Sequence, residues 1–268
     1  MSQHFLSVAA VFKNESHIIK EWIDHYLKEG VDHFYLINNN STDNFMEALR
    51  PYANVITLGH ETKDRSQVKS YNGYVLPVKN DTKWMLVCDL DEFAYAKNQT
   101  LSEFIKRRVP NCINGIRLPW LQFGSSGHIR QPNSVIDGFR KRKEHKLGER
   151  VSIKMIVKTK DIHYFGIHEQ AINGWNICDG CMMNVKNESL GYIDENYIKS
   201  SGILINHYPV QSREWFTNIK MVRGRSHSAG CCDENYFKNL DFNDVIDDTL
   251  ALKRGFQESH QDISIGRI

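Results

Sequence analysis

Trp84-Met85-Leu86-Val87-Cys88-Asp89-Leu90-Asp91-Glu92-Phe93 sets an apolar strand directly against a cluster of carboxylates. The run Trp84 to Cys88 is the most hydrophobic strand candidate in the chain, so it belongs deep in a sheet covered on both faces. In open α/β sheets ligands bind beyond the carboxyl ends of the strands, where Asp89, Asp91 and Glu92 begin. Two carboxylates one residue apart point to one side of an extended backbone, so Asp89 and Asp91 can face one divalent cation or its ligand. The competing explanation, a helix cap over Glu92 to Tyr95, accounts for many a bare D-x-D. Three acids at the mouth of an apolar strand repel one another, however, and are costly without a cation or a basic partner.

Upstream, strand-like and helix-like segments alternate, the pattern of a mostly parallel sheet flanked by helices. Phe5 to Phe12 reads as a buried strand. Ile18, Ile19, Trp22, Ile23, Tyr26 and Leu27 recur at helical spacing, with Asn14 or Ser16 as N-cap and Gly30 to end the helix. A strand over Val31 to Ile37, a turn over Asn38 to Asp43, a short helix around Phe45, Met46 and Leu49 stopping near Pro51, and a strand over Val55 to Leu58 follow. A helix over Gln67 to Leu76, limited by Pro77, leads into the acidic strand. Downstream, strands are expected over Gly115 to Leu118, Val151 to Thr159 and Ile203 to Asn206. A helix from Glu214 to about Val222 starts at Ser212. Residues 1–240 read as one catalytic domain and 241–268 as a helical or partly disordered extension, with Gln257 to Arg267 poorly packed.

The bulk composition narrows the partners. The 268 residues carry 34 Lys and Arg against 32 Asp and Glu, a formal charge of +2, which gives no support to nucleic-acid binding. The basic cluster Arg140, Lys141, Arg142, Lys143 and Lys146 fits either a solvated face or a site for phosphate or an acidic glycan. No apolar run approaches the ~20 residues that cross a bilayer, and Met1-Ser2-Gln3-His4 lacks the start of a signal peptide. The expectation is an intracellular chain, cytoplasmic or peripheral to a membrane. Six cysteines, at 88, 112, 178, 181, 231 and 232, offer one C-x-x-C (Cys178, Cys181) without a second ligand pair, so reduced thiols are expected rather than zinc.

Several motifs follow one another in a fixed order. They are Lys13-Asn14-Glu15 after the first strand; Trp22, His25 and Tyr26 with Gly30-Val31; the Asn38 to Asp43 turn; Trp84 to Phe93; Trp120 to Gly124; and Asn206-His207-Tyr208 before a helix. In this order the chain resembles the glycosyltransferases of the GT-A fold, in the branch near glycosyltransferase families 2 and 92, over about residues 6–225. The turn departs from that pattern, since Asn38-Asn39 stands where relatives often carry an Asp before the Asn. An amide hydrogen-bonds a base or ribose but supplies no charge.

The resemblance implies an α/β enzyme that moves a sugar from a UDP- or GDP-sugar to a glycan or glycoconjugate hydroxyl with Mn²⁺ or Mg²⁺. Asp91 would ligate the metal, and Asp89 would approach the ribose or the metal through water. Glu92 would orient an acceptor or a group behind the metal ligands. Lys13, Asn14, Glu15, Asn39 and Asp43 would lie near the nucleotide, with Arg65, Gln67 and Asn72 on the same wall. His207 and His168 are the candidates for an imidazole ligand, His207 favoured because it ends an apolar strand, although a structural histidine explains either. Lys154 could neutralise the leaving diphosphate or simply face outward. Trp120, Phe123, Gly124, Ser125 and His128 suit an acceptor sugar, and core packing explains the aromatics nearly as well. An inverting enzyme needs a carboxylate base, with Glu169 first, Glu92 second and Asp179 third.

Two other functions compete. A nucleotidyltransferase or sugar-nucleotide pyrophosphorylase would carry a Gly-rich phosphate loop after the first strand, and none lies between Phe12 and Ile18. A non-catalytic glycan-binding module would not need the acidic cluster.

Overall fold

From Leu6 onward every residue of β1 (His4–Phe12) is buried, because the strand has helices on one face and chain on the other. Leu6, Val8, Ala10 and Phe12 feed the larger core, which includes helix α1 (Ser16–Lys28), while Ala9 and Val11 feed the smaller one. A computed structural model describes residues 3–63, 66–185, 191–223 and 232–255. The other main-sheet strands are β2 (His33–Asn38), β3 (Ile56–His60), β4 (Thr82–Val87), β5 (Glu92–Ala96), β6 (Gly115–Gln122), β7 (Ile153–Lys158), β8 (Ile177–Asp179) and β9 (Ile203–His207).

Among the described residues these nine strands form one sheet in the order β3-β2-β1-β4-β7-β6-β9-β5, with β8 on the first half of β6. Only β7 and β5 run against the rest, so the α/β expectation of a mostly parallel sheet holds. β4 is interior, between β1 and β7, as its apolar run demands. Two pairings set up the site. β5 lies antiparallel on β9, so Glu92 sits opposite His207, and β9 lies parallel on β6, which brings Trp120 to the same edge.

Several local expectations are corrected. The helix cap over Glu92 to Tyr95 does not form, because those residues pair as β5. Neither Asn14 nor Ser16 caps α1. Asn14 adopts φ +54°, its Oδ1 accepting from the Thr42 N–H at 2.7 Å, and Asp43 reaches over to accept from the Ser16 N–H at 2.7 Å. Gly30 does end the turn after α1, at φ +81°, where an added Cβ would come within 2.7 Å of Ser102 Cβ. Pro77 does not stop the chain's coiling. Gln67–Ser70 is α-helical, Tyr71–Val75 a π turn, and Pro77 opens the 3-10 helix Leu76–Asp81, where its missing N–H costs nothing. Ser212 caps as expected, its Oγ accepting from the Trp215 N–H, and the helix runs from Arg213–Trp215 through a π turn (Phe216–Lys220) to Met221–Arg223.

The basic cluster is mostly a solvated face, with Arg140, Lys141 and Lys146 exposed, but its centre turns inward. Arg142, 4% exposed, grips Glu195 with both terminal nitrogens at 2.7 and 2.9 Å and Asp247 at 2.7 Å, and Lys143 pairs with Glu149. Asp247 belongs to the C-terminal segment, whose Val245–Ile246 pairs with Lys141–Arg142 and whose Leu250 enters the main core. Residues 241–255 are therefore packed on the sheet body, with Arg254 bonded to Glu21 at 2.5 Å. The polar stretch Gln257 to Arg267, expected to be poorly packed, lies outside the described residues. Replacing Arg142 with Met strands two carboxylates, one wholly and one partly buried, so we expect a loss of about 3 kcal/mol in urea unfolding. An unchanged midpoint would show the network to be dispensable.

Candidate active site

The chain does not stay extended through the acidic cluster. The Glu92 N–H donates to the Asp89 carbonyl at 3.1 Å, closing a turn that sends the two aspartates to different neighbours. Asp89 Oδ1 accepts from Gln67 Nε2 at 2.6 Å and its Oδ2 faces Lys154 Nζ at 3.4 Å. Asp91 instead meets Lys220 Nζ at 3.1 Å and His207 Nε2 at 3.7 Å. The expectation that Asp89 and Asp91 share one side fails because it assumed β alternation across a turn. The turn is pinned from behind, where Trp22 Nε1 donates to the carbonyls of Asp89 and Glu92 and Tyr26 Oη donates to that of Glu92.

Asp91, Glu92 and His207 each offer a ligand atom within 4.8 Å of the others, and all three are buried. Asp89 and His168, the other two expected metal ligands, stand outside that group. His168 instead lies across Trp120, whose ring is 5.2 Å from it and 4.1 Å from His207, and its Nδ1 lies 3.2 Å from the Ile153 carbonyl. Glu92 Oε1 and His207 Nδ1 have no hydrogen-bond partner among the described residues. Buried polar atoms are normally paired, and carboxylate and imidazole are the donor set that Mn²⁺ accepts, so the residues fit such an ion. The electrostatics agree for His207 and Asp91, while Glu92 must give up a proton to ligate. Burial holds the His207 imidazole down to about 4, Asp91 opposing, so it is neutral and able to ligate at neutral pH. Burial works to raise Asp91, but Lys220, His207 and Arg223 outweigh it and keep the carboxyl at about 2. Glu92, fully buried, is pushed well above the ordinary carboxyl range by desolvation, with Lys154 acting against it at 3.3 Å.

Lys154 faces inward. Its ammonium, wholly buried, lies between Asp89 and Glu92 and donates to the Ile167 carbonyl at 3.1 Å, tying the 166–169 loop to the acidic turn. Glu169 is on that loop, half-buried, with Oε1 unpartnered. Asn72, expected at the nucleotide wall, spends its amide on Phe165, donating to its carbonyl at 2.8 Å and accepting from its N–H at 2.9 Å. Asn39 donates to the carbonyls of Glu61 and Lys63, Glu15 pairs with Arg223 at 2.6 Å, and the Lys13 carbonyl accepts from Arg223 at 2.7 Å. Arg65 lies outside the described residues.

Of the expected acceptor residues Trp120 alone borders the acidic group. Phe123 is buried against Tyr208, and His128 Nε2 bonds the Gly138 carbonyl at 2.9 Å. Gly124 leaves no room for a Cβ, which would fall 2.1 Å from the Phe242 carbonyl, and the Ser125 N–H donates to Asp241 at 2.6 Å. The close approach at Gly124 is to the chain's own C-terminal segment. Asp179 accepts from the N–H groups of Cys181 and Met183 and holds a turn. Lys220 and Arg223 were missed. They sit three apart on the helix after His207, a visible signal, but only the tertiary fold aims them at Asp91 and Glu15.

With the geometry described, comparison with known proteins adds the following. The profile of glycosyltransferase family 92 matches residues 3–228. A glycosyltransferase family 92 protein of Oryza sativa subsp. japonica is 25% identical over 241 residues, covering 86% of this chain but 38% of the rice protein. The chain thus spans well under half the length of that relative. Among solved structures it is similar to TarS 1-349 of S. aureus in complex with UDP, at 18% identity and TM-score 0.39 over 60% of this chain and 50% of that one. Glucosyl-3-phosphoglycerate synthase of Mycobacterium tuberculosis, in complex with Mn²⁺, UDP and glucosyl-3-phosphoglycerate, gives 16% identity and TM-score 0.29 over 44% of each chain.

Proposed function

The chain belongs to glycosyltransferase family 92, and from there we propose that it moves a sugar from a UDP- or GDP-sugar to a hydroxyl of a glycan or glycoconjugate. Residues 1–240 form the GT-A catalytic domain and 241–268 an extension, of which residues 241–255 pack on it. The observation that carries this is the buried Asp91, Glu92 and His207 group, with two ligand atoms left unpaired at the ligand-binding end of the sheet. A Mn²⁺ or Mg²⁺ ion held there supplies charge stabilisation for the departing diphosphate. The chain's own residues do the rest. Lys154 and Gln67 fix Asp89 for the nucleotide side, and Trp22 and Tyr26 hold the turn rigid. Trp120 offers a ring for the acceptor sugar and an indole N–H with no partner among the described residues. Glu169, next to His168 on the loop that Lys154 anchors, takes the acceptor proton in an inverting displacement.

A thermal-shift screen of nucleoside diphosphates and their sugars, with and without Mn²⁺, tests this. The cognate diphosphate at about 100 times its Kd stabilises by about 2.7 kcal/mol, and only with the metal present. No shift from any of them with Mn²⁺ overturns the proposal. In Trp120→Ala we expect UDP or GDP binding to stay intact while acceptor KM rises by up to about tenfold, the worth of one stacking contact. Loss of nucleotide binding would move Trp120 to the donor side.

A further inference from the structure

Lys220 closes the π turn Phe216–Lys220, and its ammonium lies 3.1 Å from Asp91 Oδ2 with the side chain 11% exposed. The other carboxylate oxygen, Oδ1, faces His207. Asp91 is therefore shared between the imidazole-lined group and a lysine. Arg223, three residues on, is held differently. Its guanidinium is fastened to both Glu15 and the Lys13 carbonyl, and it lies over Trp215 at 5.5 Å, as Lys220 does. For Lys220 the polar partner among the described residues is Asp91, and the group is a point charge on a flexible four-carbon stem.

A divalent cation on Asp91 would put a second positive charge within a few ångströms of that ammonium in a buried setting, where repulsion is poorly screened. The cation and the lysine thus compete for one carboxylate. Displaced, the ammonium swings on its stem at the edge of the same group, where the donor's diphosphate would lie. Resting on the donor reading above, we propose that Lys220 is an exchangeable internal counterion, which neutralises Asp91 until the divalent cation arrives and is then driven from the carboxylate onto the diphosphate of the donor.

The test reads Lys220 itself. In the wild-type protein, amine acetylation followed by mass spectrometry should show Lys220 labelled faster with Mn²⁺ alone and protected again when UDP is added. Lys220→Met should bind Mn²⁺ about tenfold more tightly, by the EPR signal of the free ion. At saturating Mn²⁺ it should bind UDP about tenfold more weakly by calorimetry, the scale of one charge-assisted hydrogen bond. Labelling that ignores Mn²⁺, or a Lys220→Met variant whose Mn²⁺ affinity is unchanged or lower, overturns the proposal. The labelling arm stands even if the variant does not fold. A wild-type protein that binds neither Mn²⁺ nor either of UDP and GDP overturns the donor reading and this proposal with it; one that binds Mn²⁺ and one of the two nucleotides while Lys220 stays insensitive overturns this proposal alone.

Discussion

Asp91→Asn is expected to abolish Mn²⁺-dependent binding of the nucleoside diphosphate. The substitution keeps the size of the side chain and removes the charge that, in the folded protein, persists down to about pH 2. Outer partners of metal ligands are worth about 10–100-fold in affinity, so a ligand itself should cost at least about 100-fold. The same change leaves the buried Lys220 ammonium without its carboxylate, and removing one partner of a buried pair costs about 3 kcal/mol or more. The binding loss must therefore be measured below the variant's unfolding midpoint. The stability cost has a sign that pH exposes. Asp91 has a folded pKa below its unfolded value of about 4, so its contribution is complete above that value and is lost as pH falls towards about 2. The gap between wild type and variant in urea unfolding should be full at pH 7 and close between about pH 4 and 2. Wild-type affinity for Mn²⁺ and UDP in the variant would remove Asp91 from the site and leave the proposed chemistry without its anchor.

What the sequence disclosed divides by range. The interior place of β4 follows from an unbroken apolar run, a local property, and the alternation of strands and helices follows from periodicities that each segment carries within itself. The turn at Asp89 to Glu92 was not legible, because nothing in D-L-D-E announces a turn and the competing cues were an extended strand or a helix cap. Glu92 and His207 are brought face to face by the pairing of β5 with β9, strands more than a hundred residues apart, and that pairing is a property of the whole sheet. The orientation of Lys154 was open in the alternating strand, since both faces of β7 turned out to be covered. Arg142 shows the reverse error. A run of basic residues reads as surface, yet this member is buried because Glu195 and Asp247 arrive from distant segments to pair with it. Gly124 lies between. In sequence it reads as part of an acceptor loop, and the chain that closes on it, at Phe242, was not legible.

Glu169→Gln is expected to lower kcat by about a thousandfold, in the middle of the range of about 10²–10⁴ for general base catalysis, while donor binding with Mn²⁺ is unchanged. Three carboxylates were open for this role, and their surroundings separate them. Asp179 is spent on two backbone N–H groups of its own turn. Glu92 is fully buried, has one oxygen under the Lys154 ammonium and the other in the ligand group, and is pushed towards its protonated form by desolvation, which unfits it to take a proton. Glu169 is half-buried on a loop bordering Trp120 through His168, and its Oε1 has no partner among the described residues. The amide of Gln fills the same space and can still hydrogen-bond an acceptor hydroxyl, but it cannot accept the proton. The loss should therefore fall on kcat and leave acceptor KM within a few-fold. Glu92→Gln, by contrast, should weaken Mn²⁺ binding first and turnover as a consequence. If Glu169→Gln turns over at the wild-type rate while Glu92→Gln binds donor normally and is inactive, the base is Glu92 and the acceptor must approach from the far side of the acidic turn. Retention of anomeric configuration in the product, read by NMR, would remove the need for either base.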